Sequence, residues 1–137
     1  MSLVDANVVL RYLLDDQDEL SRKAAEILEH ISVTLPIEVG CEVVYVLQKV
    51  YVVNRKDIQQ QLSALIREGW VNMDKPAVFL KALEYYANST LDFVDTLLLA
   101  YQAIEQQEVF TFDKKHTETY ATHERSKVIS LPFHSIF

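Results

Sequence analysis

The chain is short of residues that interrupt structure and of residues that staple it. Of its 137 residues two are glycine, three are proline and one is cysteine. So few breakers leave little room for long loops or low-complexity linkers. A single cysteine cannot close an internal disulfide, and a reducing cytoplasm is the expected compartment. Cys41 stands among apolar neighbours and reads as a small buried hydrophobe rather than a reactive thiol. Apolar runs fall well short of the roughly 18 residues that cross a bilayer, so no membrane association is expected. The first residues carry no basic stretch and are interrupted by Asp5, which is not the pattern of a signal peptide. No Cys/His spacing suits zinc, no glycine-rich loop can cradle phosphate, and no G-x-S-x-G elbow is present. The four histidines, His30, His116, His123 and His134, are scattered and read as surface residues. Positive charge is also scarce, with 13 Lys and Arg against 20 Asp and Glu, a net −7. That balance excludes a broad basic surface gripping nucleic acid regardless of sequence, and favours a metal or a basic partner.

What is present is an ordinary globular composition, 50% hydrophobic and 24% charged, in a length suited to one domain spanning residues 1–137. Short apolar segments at 2–5, 32–36, 70–73, 108–112 and 127–131 read as strands. Between them lie helical patterns at 7–14, 21–31, 36–51, 54–68, 76–87 and 91–107. Asn7, Asp18, Asn54 or Asp57, and Asp92 are the expected N-caps. Pro36 suits a first helical position, and Gly69 a helix stop. Alternating strands and helices imply an α/β fold, with a short, mostly parallel central sheet of four to five strands flanked by helices. No internal repeat and no domain boundary is visible.

In such folds ligands bind beyond the carboxyl ends of the strands. Asp5 follows the first strand, and Asp113 follows VFTF. Each alone is what a strand-to-turn junction commonly carries. Glu42 interrupts the apolar GCEVVYVL, where it is either compensated at a sheet edge or part of a thin exposed stripe with Glu38 and Lys49. In LDFVDTLLLA, Asp92 suits an N-cap and Asp95 the acid of a capping box. Asp95, however, has Leu91, Leu98 and Leu99 at helical-neighbour spacing, which a cap explains poorly. Four crowded carboxylates raise one another's pKa values, and a hard divalent cation relieves the repulsion. An acidic cation site on a parallel sheet suits phosphoryl chemistry. The acidic cluster of Asp15, Asp16, Asp18 and Glu19 is a weaker metal candidate and is better explained by the positive end of the helix it precedes.

Taken in order, VDANVVLRYLL, CEVVYVL, LDFVDTLLLA and TFDKK resemble the PIN-domain ribonucleases, and most closely the VapC toxins of bacterial toxin–antitoxin pairs. The resemblance covers essentially the whole chain. It implies a catalytic set of Asp5, Glu42, Asp95 and Asp113, with Asp5, Asp95 and Asp113 holding Mg²⁺ or Mn²⁺. Asn7, Asp92 and Thr111 fall at secondary positions. The activity implied is endoribonuclease hydrolysis of RNA by in-line attack of water on phosphorus, leaving a 3′-hydroxyl and a 5′-phosphate. A homodimer and a small cognate antitoxin, covering the acidic cleft with a cationic side chain, are the implied partners. Ala6 departs from the family's pattern, since many relatives carry Ser or Thr there.

RNA must then be held locally by the metal and a few cations, for which Arg11, Lys114, Lys115 and Arg125 are candidates. Tyr12, Tyr45 and Trp70 are candidate stacking platforms, at least two of them better explained by core packing. Two other readings compete. One is a PIN-like module that binds RNA or a protein partner without cutting. The other is a haloacid-dehalogenase-type phosphatase, which also sets an Asp after its first strand. That chemistry needs a second acid two residues later, where Asn7 stands, and a cap module this length does not hold.

Overall fold

The computed structural model describes residues 2–112, and residues 128–130 as backbone. It comprises two compact units, residues 1–76 and 77–137, and each is described by itself.

The first unit runs β1 (Ser2–Leu3), α1 (Ala6–Leu14), α2 (Asp18–His30), β2 (Val33–Thr34), α3 (Ile37–Lys49) and α4 (Arg55–Arg67). β1 and β2 pair in parallel, Ser2 opposite Val33 and Leu3 opposite Thr34. On the other side of β2, Thr34 bridges Asn72 in parallel. The Leu35 amide donates to the Asn72 carbonyl at 2.8 Å, and the Asn72 amide to the Val33 carbonyl at 2.8 Å. The expected strand at 70–73 therefore shrinks to one bridge. The Trp70 amide bonds back to the Leu65 carbonyl at 3.0 Å, which holds the start of that segment in the turn closing α4. Because β1 and β2 are parallel, α1 and α3 leave from the same edge of the pair. Val9, Leu35, Val43, Leu47, Ile58 and Leu62 lie at the centre of this unit's core.

The second unit runs α5 (Pro76–Ala87), α6 (Phe93–Glu105), β3 (Val109–Thr111) and β4 (Val128–Ser130). β3 and β4 pair in parallel over three residues. Phe93, the first residue of α6, lies 5.1 Å from Phe79 and edge-on to Tyr86 at 5.6 Å. Such tilted pairs stabilise beyond their buried area and fix the angle at which the helix starts. Leu91, Leu99 and Val109 form a further apolar cluster with Tyr85 against it.

The strands differ from the sequence expectation. Among the described residues they form two separate two-stranded ladders, not one sheet of four to five strands. Ladders only two or three residues long leave the helices to bury most of the apolar surface.

Helix ends show where local chemistry decides. α1 is capped by Asp5 rather than Asn7, and α2 begins at Asp18 with Gln17 as an N-cap that makes no side-chain bond. Pro36 stands one position earlier than expected, as the N-cap of α3. Asn54 caps α4, its Oδ1 accepting the Asp57 amide at 2.9 Å. α3 ends with the Val53 amide bonded to the Leu47 carbonyl at 2.9 Å, which sets Val52 left-handed at φ 54. Glycine is the usual residue there, because a β-branched side chain crowds the following carbonyl. Val52 is 82% exposed, so little packing offsets that strain. Val52→Gly is expected to raise unfolding free energy by about 1 kcal/mol in a urea titration. A loss of stability would mean the valine side chain contributes packing that its exposure does not suggest.

Candidate active site

Asp5 is the exposed residue at which the chain leaves β1 and enters α1. Its Oδ1 accepts the Val8 amide at 3.1 Å. The carboxylate thus satisfies one of the open amides of the first turn and lies against the positive end of the helix. Cap and backbone hold it in one orientation while solvent still reaches it. Ala6 follows, buried at 7% exposure, and Asn7 is exposed.

Glu42 lies in the second turn of α3 and is exposed, as are Glu38, Tyr45 and Lys49. These four recur at helical spacing, so of the two readings of Glu42 the exposed stripe with Glu38 and Lys49 is the one formed, widened by Tyr45. The stripe explains Glu42 without a ligand, yet leaves the carboxylate open to one. Cys41, beside it, is half-buried, and burial followed by the Glu38 charge pushes its thiol pKa up. A raised pKa lowers the thiolate fraction at neutral pH, in keeping with a packing role.

In the second unit Asp92 is the exposed N-cap residue of α6, and its side chain makes no cap bond. The capping box expected of Asp92 is therefore not formed from its side. Asp95 is half-buried two residues beyond the Phe93 anchor, with Leu91 and Leu99 buried and Leu98 39% exposed. Its apolar surroundings are thus only partial. Thr111 ends β3, half-buried, opposite Ser130. Asp113, Lys114, Lys115 and Arg125 lie outside the described residues, as do His116, His123 and His134.

Arg11 is engaged within the first unit. Its guanidinium donates to Asp16 Oδ1 at 2.8 Å and to the Tyr51 hydroxyl at 2.7 Å. The Tyr51 bond and the Asp16 charge hold Arg11 above its usual pKa, so it stays cationic. Nothing in the sequence announced this pairing, since Tyr51 is 40 residues away. Of the aromatic candidates, Tyr12 and Trp70 are half-buried, and Trp70 Nε1 donates to Glu68 at 3.1 Å. Tyr45 is 62% exposed.

Among the described residues no three His, Cys, Asp or Glu side chains form a ready metal cage. The donors themselves suit a hard cation: exposed Asp5 and Glu42 offer carboxylate oxygens with no ion-pair partner among the described residues.

A family model, PIN domain, matches residues 2–121. The chain belongs to the PIN domain family. PIN domains are generally nucleases that depend on divalent metal. Comparison with curated proteins and with solved structures gave no significant match. No helix among the described residues is long and apolar enough to cross a membrane.

The cap bond of Asp5 can be tested by substitution. Asp5→Asn retains an oxygen that accepts from Val8, so stability is expected to stay within a few tenths of a kcal/mol of wild type. Asp5→Ala removes the cap and is expected to cost about 1 kcal/mol in chemical denaturation. Equal losses in both variants would show that the cap bond contributes nothing.

Proposed function

We propose that this single PIN domain is a Mg²⁺- or Mn²⁺-dependent endoribonuclease serving as the toxin of a toxin–antitoxin pair. The observation that carries the reading is Asp5: an exposed carboxylate fixed by the Val8 amide at the carboxyl end of a parallel strand. The family match over residues 2–121 supports the nuclease chemistry, and the order of the four acidic motifs supports the toxin assignment. Asp5, Asp95 and Asp113 would hold the cation, and Glu42 would orient the attacking water. Asn7, Asp92 and Thr111 would contribute polar contacts around them. A bound divalent cation supplies an activated water and neutralises charge gathering on the phosphate. The protein's own part is to fix the carboxylates before the metal arrives, which the α1 cap does for Asp5. Lys114 and Lys115 would meet substrate phosphates beside Asp113. A basic antitoxin suits the −7 chain, and a cytoplasmic homodimer is the expected form.

The test is cleavage of single-stranded RNA by purified protein with Mg²⁺ or Mn²⁺. Asp5→Asn and Asp95→Asn are each expected to lower the rate at least a hundredfold while the fold persists, because each removes a charged ligand at nearly constant volume. Full activity in both would overturn the site. A folded wild type that binds RNA and never cuts it would favour the non-cleaving module.

In bacterial cells, expression of the chain alone is expected to arrest growth, and Asp5→Asn to relieve the arrest. Plating efficiency reads this directly. Harmless accumulation of folded wild-type protein would contradict the toxin role.

A further inference from the structure

Two clefts flank α1 and α2 in the first unit, and their charges are opposite. One, about 540 Å³, begins at Asn7, two residues after Asp5. Arg11 and Lys23 are its charged lining, and no carboxylate lines it. The other, about 630 Å³, has Asp15, Glu29 and Glu68 as its charged lining, and no cation. α2 builds both by helical spacing. Leu20, Lys23 and Ile27 face the first cleft, and Ser21, Ala25 and Glu29 the second. In the acidic cleft the Tyr12 phenol pKa is pushed up by burial, then by Glu29 and Glu68. A polyanion is repelled there.

We propose that the cleft between α1 and α2 is the track along which single-stranded nucleic acid reaches the Asp5 site, with Lys23 meeting backbone phosphate and Tyr51 stacking a base. This rests on the nuclease reading. Tyr51 lines the cleft and is 39% exposed, and its hydroxyl is pinned by Arg11, so the ring is held at a fixed angle. The Arg11–Asp16 pair stays in place at the cleft floor and is neutral overall, so Lys23 is the cation left to meet phosphate. Lys23 differs, being paired only to Glu19 at 3.3 Å with both side chains well exposed. Such a pair is weak and exchanges readily for a phosphate. Val8, Leu20 and Ile27 supply apolar surface, while the amides of Asn7 and Gln17 can donate to and accept from a base edge. An aromatic platform beside a few cations is what sequence-tolerant binding of single strands requires.

The experiment measures binding of a fluorescein-labelled uridine 12-mer RNA by anisotropy across a salt series, with Ca²⁺ present. The variants are Lys23→Glu, Tyr51→Leu, and Lys56→Glu on α4 as an equal charge change at an exposed residue outside this cleft. Lys23→Glu is expected to weaken binding roughly tenfold and to lower the salt slope by about 0.7, the value for one lost phosphate contact on a single strand. Tyr51→Leu is expected to weaken binding about tenfold with the slope unchanged, as for lost stacking. Lys56→Glu is expected to change affinity less than threefold. Equal effects of Lys23→Glu and Lys56→Glu, or none from Lys23→Glu, would overturn the track, including the case in which the cleft instead seats a protein partner. Wild-type cleavage of RNA alongside that result would leave the nuclease reading standing. The expected binding pattern without any cleavage would support the track and count against the catalytic reading.

Discussion

One hydrogen bond carries much of the account: Asp5 Oδ1 accepting the Val8 amide at 3.1 Å. It makes the first acidic residue part of the helix it precedes. Ala6, Val9 and Leu10 bury the inner face of that helix, so the core fixes the axis and the cap fixes the carboxylate upon it. Only Asp, Asn, Ser and Thr cap well at such a position, and of these only Asp also offers a metal-binding charge. Fold and proposed chemistry thus narrow the choice to the same residue. Asp95 is positioned by different means, since the α6 N-cap makes no side-chain bond. There the buried Phe93, between Phe79 and Tyr86, anchors the first turn.

Charge distribution is the second constraint. A net −7 suits a basic partner better than RNA, and in the first unit Arg11 and Lys23 line one cleft beside α1 while Asp15, Glu29 and Glu68 line the other. α1 presents Asn7 and Arg11 to one cleft and Tyr12 to the other, where its C-cap residue Asp15 also stands. Arg11 anchors this division, tying α1 to Asp16 beyond its end and to Tyr51 beyond α3.

Helices were legible in the sequence because their apolar spacing and caps act locally. The segments at 7–14, 54–68 and 76–87 match α1, α4 and α5 to within one residue at each end. Sheet pairing was less legible. Segments such as 70–73 have strand-like composition, but how far they pair depends on neighbours distant in sequence, and here one bridge suffices. The cap of α1 was placed at Asn7 because Asp5 was read as a turn or site residue at the strand end, and the helix starts one residue earlier than the apolar pattern indicates. For Glu42 the sequence left a compensated carboxylate and an exposed stripe both open, and the structure shows the stripe, with Glu38, Tyr45 and Lys49 on the same exposed face. The Arg11–Tyr51 pairing left no trace in the sequence because no local pattern encodes a contact across 40 residues.

The central proposal is that Asp5 is a ligand of a divalent cation. Titration of isotope-labelled protein with Mn²⁺, followed by NMR, tests it most directly, because paramagnetic broadening falls steeply with distance from the bound ion. The account predicts that backbone amides of Asp5, Ala6 and Asn7 broaden together at substoichiometric Mn²⁺, and that excess Mg²⁺ restores them. Broadening confined to Asp15, Glu29 and Glu68, with Asp5 unaffected, would contradict it.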